Sequence, residues 1–396
     1  MTLPVDSLLP PPQNPVIAVQ HPAPYDYYRE LEARRPFDFD ASLGMWVAVG
    51  EAARNLVLTH AACGVRPKGD PVPAALAAGP AGRWFAQLVR MTDAAAHPVL
   101  KPWLGTQLAV LTSDAAVMER LANASERAFA DGTQRYSDAG LALDDFVFRQ
   151  PIYALAAWPG VPSTQWPAVF SDVHTLVAAM AEAGRPSPRA EVIAEGHRSA
   201  GALTSRAVHW LDNGANADTW LRCVGAHAAR DEIDHDALTA NIVGLFTQTH
   251  DACAGLVANS LRKLARDADA QVRSPESLAT AIDTVRHVIR HDPPVQNTRR
   301  FLHAPAVIGD RSLAKGDVVL VVLAATPNPS AQADTAHTEW TFGHGPHACP
   351  GRSSADTIAA LGVRTAMTRC PDLASIARGT GYHPLGNVRI ARFASL

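Results

Sequence analysis

A glycine- and proline-rich loop near the C-terminus carries the residue best suited to chemistry. Residues 341–352 read TFGHGPHACPGR, where three glycines and two prolines exclude a regular helix or strand and permit close backbone approach to a flat ligand. A thiolate at Cys349 could be a strong iron ligand, and peptide N–H groups beside its sulfur would lower its charge. His347 and Arg352 add cationic or donor groups nearby. The plain alternative is a glycine-rich turn that holds a buried cysteine.

The spacing in this loop resembles the haem-binding signature of the cytochrome P450 family. The pattern Phe-Gly-x-Gly-x-His-x-Cys-x-Gly matches that signature at every fixed position. The resemblance implies that Cys349 is the axial thiolate ligand of a haem b, that Phe342 packs beside it, and that His347 contacts a haem propionate. The glycines of the signature are Gly343, Gly345 and Gly351, and the first two would shape the turn.

Two further segments resemble parts of the family that bind the haem propionates. The first is MTDAAAHPVLK, in which His97 and Lys101 lie four residues apart and therefore on one helical face. The second is RHDPPVQNTRR, which is similar to the segment that leaves a late helix and enters the sheet. The resemblance implies that Arg300, or failing that Arg299, contacts the second propionate. Without the resemblance, these residues would be solvated charges beside a helix stop.

The predicted long helix Asp236–Arg266 departs from the family pattern. Alignment places the segment QTHDAC on the oxygen-activation motif, where the family usually has small residues, an acid and a threonine. Asp251 keeps the acid, which can relay protons, whereas Ala252 removes the hydroxyl. Gln248 and Thr249 add bulk on the helical face that carries Ala252. The candidate catalytic positions are Gln248, Thr249, Asp251 and Ala252.

Three accounts of the missing hydroxyl stay open. Substrate or water supplies it, Thr249 or Gln248 substitutes for it, or the haem carries out chemistry that does not need ordinary oxygen activation. Two neighbours on the helix have plainer interpretations. Cys253 is expected to be a small buried apolar residue. His250 is expected to be a packing or surface residue and not a second iron ligand.

The Glu-x-x-Arg ion pair of the family is altered as well. It corresponds here to His287-Val-Ile-Arg290, so the glutamate is missing. If Arg290 is buried it needs another acceptor, because an unpaired buried cation is strongly destabilising. A neutral His287 nitrogen or backbone carbonyls could accept. The segment between Asn328 and Thr341 is also short for the family and lacks the arginine that normally completes this network.

The remaining patterns predict a mainly α fold with a small β part. Under the resemblance this is a cytochrome P450-like fold, with haem between the long central helix and the Cys349 loop. Residues 1–15 predict an irregular Pro-rich arm, and the lack of a dividing linker predicts a single domain over residues 1–396. Apolar spacing predicts further helices at 25–35, 51–59, 114–130, 167–183, 189–211 and 275–290. Strand composition predicts β structure at 45–50 and a small antiparallel sheet within 307–325.

Composition and charge exclude several classes of protein. A hydrophobic content of 47% and a charged content of 18% are typical of globular proteins. The net charge of -3 gives no reason to expect a nucleic-acid or anionic-membrane partner. The N-terminus lacks a signal-peptide pattern and no apolar run approaches the roughly 20 residues of a membrane span, so a cytoplasmic location is expected. Five scattered cysteines without a CxxC pair predict neither a disulfide framework nor a zinc site.

Three functional hypotheses follow from the resemblance. The first is a monooxygenase that hydroxylates, couples or cyclises a small organic molecule in specialised biosynthesis, with electrons from an external ferredoxin and ferredoxin reductase. The second is a haem-thiolate enzyme with peroxide-driven, rearrangement, dehydration or nitrogen-centred chemistry, motivated by Ala252. The third is a non-catalytic partner protein derived from the family, which the retained Cys349 and His97 disfavour. The substrate is not readable from aromatic residues in the expected recognition regions, which include Trp84, Phe85, Trp166, Phe170 and His174.

Overall fold

Helices make up most of the protein, and the strands form small sheets. The computed structural model describes residues 10–94, 97–109, 115–213, 220–267, 277–325, 340–370, 372–377 and 381–394. The helices are α1 Pro15–Ala18, α2 Pro24–Arg34, α3 Glu51–Thr59, α4 Ala74–Ala77, α5 Pro80–Ala86, α6 His97–Ala109, α7 Ala115–Arg135, α8 Ala139–Ala157, α9 Trp166–Glu182, α10 Ala190–Asn213, α11 Trp220–Arg230, α12 His235–Arg266, α13 Leu278–His291, α14 Arg352–Arg369 and α15 Leu373–Ile376. The mainly helical prediction is confirmed.

Nine strands complete the described part of the chain. They are β1 Phe37–Asp40, β2 Met45–Ala48, β3 Cys63–Gly64, β4 Asn297–Leu302, β5 Ala306–Ile308, β6 Arg311–Leu313, β7 Val318–Val322, β8 Gly381–Tyr382 and β9 Ala391–Arg392. The largest sheet has the order β1-β2-β7-β4-β3, in which β2 and β7 are parallel and the other neighbours antiparallel. This sheet joins N-terminal strands to the strand β4 that carries Arg300.

The small sheet predicted within residues 307–325 is only partly correct. β5 and β6 form the expected antiparallel hairpin, turning at Gly309, whose φ of 63° lies in the left-handed region that glycine tolerates. β7 instead leaves the hairpin and pairs with β4 and β2. Its run of valines is buried on both faces, which suits an interior strand of a larger sheet.

Helix α12 passes through the core of the protein. Its first turn is capped by Asp234, whose carboxylate accepts the N–H of Ala237 at 2.8 Å. The helix packs against α8, α10, α13 and α14. Residues 237–262 are mostly buried all round, because helices cover the apolar side chains on every face. α12 is thus a rigid platform for any site on its surface.

The helices predicted from apolar spacing are confirmed within a few residues, and the longest one that the prediction missed is α8. α8 contains Pro151 and is buried on nearly all faces, so it has no amphipathic pattern to detect. α14 was also missed, because its apolar and polar residues do not divide into two faces, although only 9 of its 18 residues are buried. Residues 10–14 are irregular, and Pro15 begins α1; residues 1–9 of the predicted arm lie outside the described part.

The altered Glu-x-x-Arg pair lies at the surface of α13. His287 and Arg290 are both exposed, so water solvates the guanidinium and the condition of a buried cation is not met. His287 packs instead against His291, with ring centroids 4.4 Å apart. Burial together with the charges of Lys263, His291 and Arg290 lowers the pKa of His287 to about 4. Most of the short segment after Asn328 lies outside the described residues.

A different buried cation ties the N-terminal segment to the body of the protein. Arg389 is 1% exposed, and its Nε donates to Asp292 at 2.8 Å. Its remaining nitrogens donate to the carbonyl oxygens of Val19, His21 and Pro22 at 2.6–3.1 Å. Burial opposes the charge on Arg389, but the neighbouring carboxylate and phenols raise the pKa of its guanidinium above the ordinary value.

Among the described residues, none of the helices combines the length and apolarity needed to cross a membrane.

Candidate active site

The Cys349 loop is folded back on itself by backbone hydrogen bonds. The N–H of Cys349 donates to the carbonyl of Phe342 at 2.7 Å, and that of Gly343 donates to Trp340 at 2.7 Å. Gly343 and Gly345 have φ values of 71° and 64°, a region that other residues rarely adopt. A Cβ on Gly343 would also lie 3.1 Å from the carbonyl oxygen of His347. The two glycines therefore shape the turn, as the signature implies.

The Cys349 thiol is both accessible and desolvated by the protein around it. The residue is solvent-accessible, yet desolvation by the surrounding protein raises the pKa of its thiol. These observations agree if the side chain lines an internal cavity. The N–H of Gly351 donates to the sulfur and opposes the rise. The positive charges that also favour its thiolate belong to Arg90, Lys101 and Arg352. The loop thus prepares the sulfur for ligation by a cation.

Arg300 joins Lys101 and Arg90 in a cluster of cations, and the latter two also interact with Cys349. Arg300 is 4% exposed on β4 and Lys101 lies on α6, where its Nζ donates to the carbonyl of Pro346 at 2.5 Å. Burial lowers the pKa of Lys101 to about 8, with Cys349 opposing the change and Arg300 and Arg90 adding to it. Burial lowers the pKa of Arg300 as well, and the positive charge of Arg90 adds a smaller lowering. Such a concentration of charge favours an anionic ligand.

No sequence pattern pointed to Arg90. It lies in a short 3-10 turn, Val89–Met91, just before the segment that resembles the propionate-binding helix. Burial lowers the pKa of Arg90, and the negative charge of the Cys349 thiolate opposes this. Arg90 therefore belongs to the cationic cluster, although only the fold reveals it.

His97 and His347 meet at the edge of the same cluster. Their ring centroids are 4.3 Å apart. Nε2 of His347 lies 2.9 Å from a carboxylate oxygen of Asp93, which also accepts the N–H of Val65. Burial would raise the pKa of Asp93, but the hydrogen bonds from His347 and Val65 lower it overall. Asp93 was missed by the sequence reasoning and orients the His347 ring.

Buried polar atoms that lack hydrogen-bond partners indicate whether this cluster could bind a haem. Within this cluster, three buried nitrogens have no hydrogen-bond partner among the described residues: Nε2 of His97, Nδ1 of His347 and Nε of Arg300. Buried donors without partners are rare and costly. A dianionic edge would satisfy nitrogens of this kind, and Cys349 supplies a sulfur ligand for iron. The residues implied by the resemblance therefore fit a haem held by a cysteine thiolate.

We expect the His97 ring to titrate far below its ordinary range in haem-free protein. Burial, the His347 ring and the Lys101 charge lower its pKa to about 4. Haem propionates beside the ring would raise that pKa. An NMR pH titration, with the signal assigned through His97→Gln, measures it with and without haem. An ordinary value near 6.5 in the haem-free protein would contradict the described geometry.

The sign of the accompanying stability change follows from linkage. The unfolded chain binds a proton at His97 near pH 6.5, whereas the folded protein does so only near pH 4. The free energy of unfolding of the haem-free protein should therefore fall as the pH drops through this window. His287 acts in the same direction, because its pKa is also lowered to about 4.

One face of α12 is partly open within an otherwise buried segment. Between residues 237 and 262, the positions that are not fully buried are Leu245, Gln248, Thr249, Asp251 and Ala252. Four of them recur at spacings of three and four, so they share one helical face, and Asp251 lies at its border. Burial and then the charge on Cys349 raise the pKa of the adjacent Cys253 to about 12. This coupling places α12 beside the cysteine loop.

The neighbours of Asp251 are held by packing and hydrogen bonds. Cys253 is 3% exposed, which confirms it as a small buried residue. His250 is 2% exposed, and both of its ring nitrogens contact side chains, Nδ1 with Asp251 at 2.7 Å and Nε2 with His174 at 3.1 Å. His250 is thus a buried packing residue, with neither nitrogen left to ligate iron.

Most aromatic residues of the expected recognition regions belong to the fold. Trp84, Phe85, Trp166 and Phe170 lie in the main hydrophobic core. The indole of Trp84 donates to the carbonyl of Ala240 on α12 at 3.0 Å, and that of Trp166 donates to Val161 at 2.8 Å. These side chains hold helices together, and they give no indication of a substrate.

The chain was compared with known proteins by sequence and by fold. No model of a known protein family matches it. It is 34% identical over 142 residues to the cytochrome P450 monooxygenase PikC of Streptomyces venezuelae, covering 33% of this chain and 34% of that protein. It is 30% identical over 155 residues to the mycinamicin VIII C21 methyl hydroxylase of Micromonospora griseorubida, covering 36% and 39%. The matches thus span little more than a third of these relatives.

The structural match extends much further. The crystal structure of CalO2 superposes with a TM-score of 0.71 and 17% sequence identity, covering 94% of this chain and 96% of that one. The P450BioI structure, solved with an acyl carrier protein ligated to hexadec-9Z-enoic acid, superposes with a TM-score of 0.69 and 18% identity, covering 94% and 98%. Identities this low show the fold alone. The chain therefore has the fold of cytochrome P450 structures, and about a third of it is similar in sequence to cytochrome P450 proteins.

Proposed function

We propose that this protein is a haem-thiolate monooxygenase that oxidises a small organic molecule in natural-product biosynthesis. The observation that carries the proposal is the placement of Cys349 inside a cluster of cations, with the open face of α12 beside it. The names of two relatives, a cytochrome P450 monooxygenase and a methyl hydroxylase, support the reaction class. Hydroxylation, coupling and cyclisation are the reactions considered.

The proximal residues would hold the cofactor and tune it. Cys349 would ligate the iron, and the Gly351 N–H would withdraw charge from the sulfur. Arg300, Lys101 and His97 would bind the propionates, together with His347. When bound, haem with a thiolate ligand supplies reductive activation of dioxygen. The side chains of the protein would position the oxygen and the substrate and supply protons.

The open face of α12 would position oxygen and substrate. Ala252 offers no hydroxyl, so the carboxylate of Asp251 is the acid that remains at this motif. In its protonated form Asp251 could donate a proton from a carboxyl oxygen towards the open face. Gln248 and Thr249 lie on the same face, where their polar atoms can orient a water or a substrate group.

Electrons would come from a separate protein. We propose an external ferredoxin and ferredoxin reductase as donors, with peroxide as the alternative oxidant, and a cytoplasmic location. The second hypothesis, chemistry without ordinary oxygen activation, rests on Ala252 alone. No contact in the described structure favours rearrangement or dehydration, so it is not proposed here.

Turnover with labelled dioxygen tests the proposal. Haem-loaded protein would be supplied with NADPH and a surrogate ferredoxin and reductase, together with a library of macrocyclic and polycyclic natural products. We expect at least one product that gains an oxygen atom from isotopically heavy dioxygen, and none with Cys349→Ala. A protein that is reduced by its donors but never transfers the label would contradict a monooxygenase.

A further inference from the structure

Three hydrogen-bonded side chains connect α12 to α9. Asp251 lies beside the open face of α12, and its carboxylate is 2.7 Å from Nδ1 of His250. Nε2 of His250 is 3.1 Å from Nδ1 of His174 on α9. The chain therefore runs from the border of the candidate oxygen site, through a ring that is 2% exposed, to an exposed histidine.

The ionised carboxylate fixes the direction of both hydrogen bonds. A carboxylate only accepts, so Nδ1 of His250 carries a hydrogen and donates it to Asp251. In a neutral ring Nε2 of His250 is then the acceptor, and His174 must donate from its own Nδ1. Each bond thus donates towards Asp251, while Nε2 of the exposed His174 is left to accept from solvent.

The middle ring is shielded from water. Phe148 lies against His250 with ring centroids 5.1 Å apart, and Phe170 stacks on it at 6.4 Å. These aromatic rings also contact His174, at 6.2 Å and 5.8 Å. Aromatic packing on both histidines keeps the two rings in register and leaves water little access to the His250 nitrogens. A proton that moves along this chain is confined to it.

Charges from α8 act on the outer histidine. Although His174 is exposed, partial desolvation by the protein packed around its ring lowers its pKa; the charges of His250 and Arg149 add to this, whereas Asp251 and Asp145 oppose it. Arg149 is itself held by Asp145 through bonds of 2.6 Å and 2.8 Å. The neutral form of His174 is therefore favoured at neutral pH. Neutral rings are the form that the directed hydrogen bonds require.

We propose that His174, His250 and Asp251 form a proton relay that supplies the oxygen-binding face of α12 from solvent. The inference rests on the proposed monooxygenase function. Because Ala252 has no hydroxyl, Asp251 is the remaining proton donor at this motif. The relay would reprotonate Asp251 in each turnover. In this relay His250 and His174 have positioning and proton-conducting roles.

The proton balance of one passage is simple. Nε2 of His174 takes a proton from a hydronium ion, which leaves as water, and the Nδ1 proton of His174 passes to Nε2 of His250. The Nδ1 proton of His250 then passes to the carboxylate of Asp251, which becomes a neutral acid. Each ring ends with the number of protons it had before, but with the hydrogen on Nε2. Tautomer exchange then returns the hydrogen to Nδ1. No oxidant or reductant is consumed in the relay itself.

Variants of both histidines test the relay in haem-loaded protein. His174→Gln and His250→Gln keep polar contacts but cannot pass a proton, so we expect NADPH-dependent dioxygen turnover to fall by about 10–100-fold. The solvent deuterium isotope effect should increase, and added acetic acid should partly restore His174→Gln. Haem content and the ferrous–CO spectrum should not change. The matched control is His209→Gln, an exposed histidine on α10 that should behave as wild type.

The outcomes separate the relay from the function on which it rests. Wild-type turnover in both variants, with an unchanged isotope effect, would overturn the relay and leave the monooxygenase intact. Wild-type protein that binds haem but never consumes dioxygen would contradict the monooxygenase. Nitrogen NMR of the diamagnetic ferrous–CO form tests the relay without turnover. We expect hydrogen on Nδ1 of both rings, and hydrogen on Nε2 of neutral His250 would overturn the relay.

Discussion

Replacing Arg389 with methionine should lower the free energy of unfolding by about 3–5 kcal/mol, because removal of one partner from a buried ion pair leaves the other uncompensated. Asp292 would lose its guanidinium partner while keeping the hydroxyl of Tyr25, which donates at 2.6 Å. The carbonyls of Val19, His21 and Pro22 would lose their donor at the same time. Urea unfolding followed by circular dichroism measures the change.

A surface arginine provides the matched control for this experiment. Arg311 has a side chain that is 42% exposed, and its carboxylate contacts are 3.5–4.0 Å long. Arg311→Met should change stability by no more than about 0.5 kcal/mol. Equal small effects at both positions would show that Arg389 does not hold the N-terminal segment. Arg389→Lys should give an intermediate loss, since one ammonium cannot reach every acceptor.

Arg300→Leu should accelerate haem loss by roughly 10–100-fold, since a hydrogen bond to a charged group contributes about 1.5–3 kcal/mol. Arg300 is buried beside Lys101 and Arg90, and its Nε has no partner among the described residues. A propionate would satisfy that nitrogen and relieve the repulsion among the cations. Transfer of haem to excess apomyoglobin, followed by absorbance, measures the rate.

The neighbouring arginine distinguishes a specific contact from a general charge effect. Arg299 precedes Arg300 on β4, but its side chain is exposed because residues alternate between the faces of a strand. Arg299→Leu removes the same charge and should leave the rate of haem loss within about twofold of wild type. Equal acceleration by both substitutions would contradict the assignment of Arg300 as the propionate ligand.

The sequence predicted best those elements whose side chains are divided between core and solvent. α9, α10 and α12 have apolar residues at helical spacing, and the structure confirms them within two residues. α8 was missed because neighbouring helices bury it on nearly all faces, and α14 because its apolar and polar residues do not divide into two faces. The parallel pairing of β2 with β7 joins segments some 270 residues apart, and no local pattern encodes it.

In the candidate site, too, local sequence predicted some residues, whereas the roles of others depend on tertiary contacts. The Cys349 loop was predictable because backbone geometry fixes its glycines and chemistry fixes its cysteine. Arg90 and Asp93 were not, because their roles depend on how the turn before α6 docks on the loop. The chain from Asp251 to His174 was equally hidden, since its members lie on two helices that meet only in the fold.

The measurement that tests the central claim most directly is the absorbance spectrum of the purified, haem-loaded protein, reduced and exposed to carbon monoxide. A thiolate-ligated haem gives a Soret band at a distinctively long wavelength. We expect that band in wild type and in Cys253→Ala, which removes a buried thiol near Cys349, and its loss in Cys349→His. Absence of the band in wild type, or its persistence in Cys349→His, would contradict Cys349 as the iron ligand.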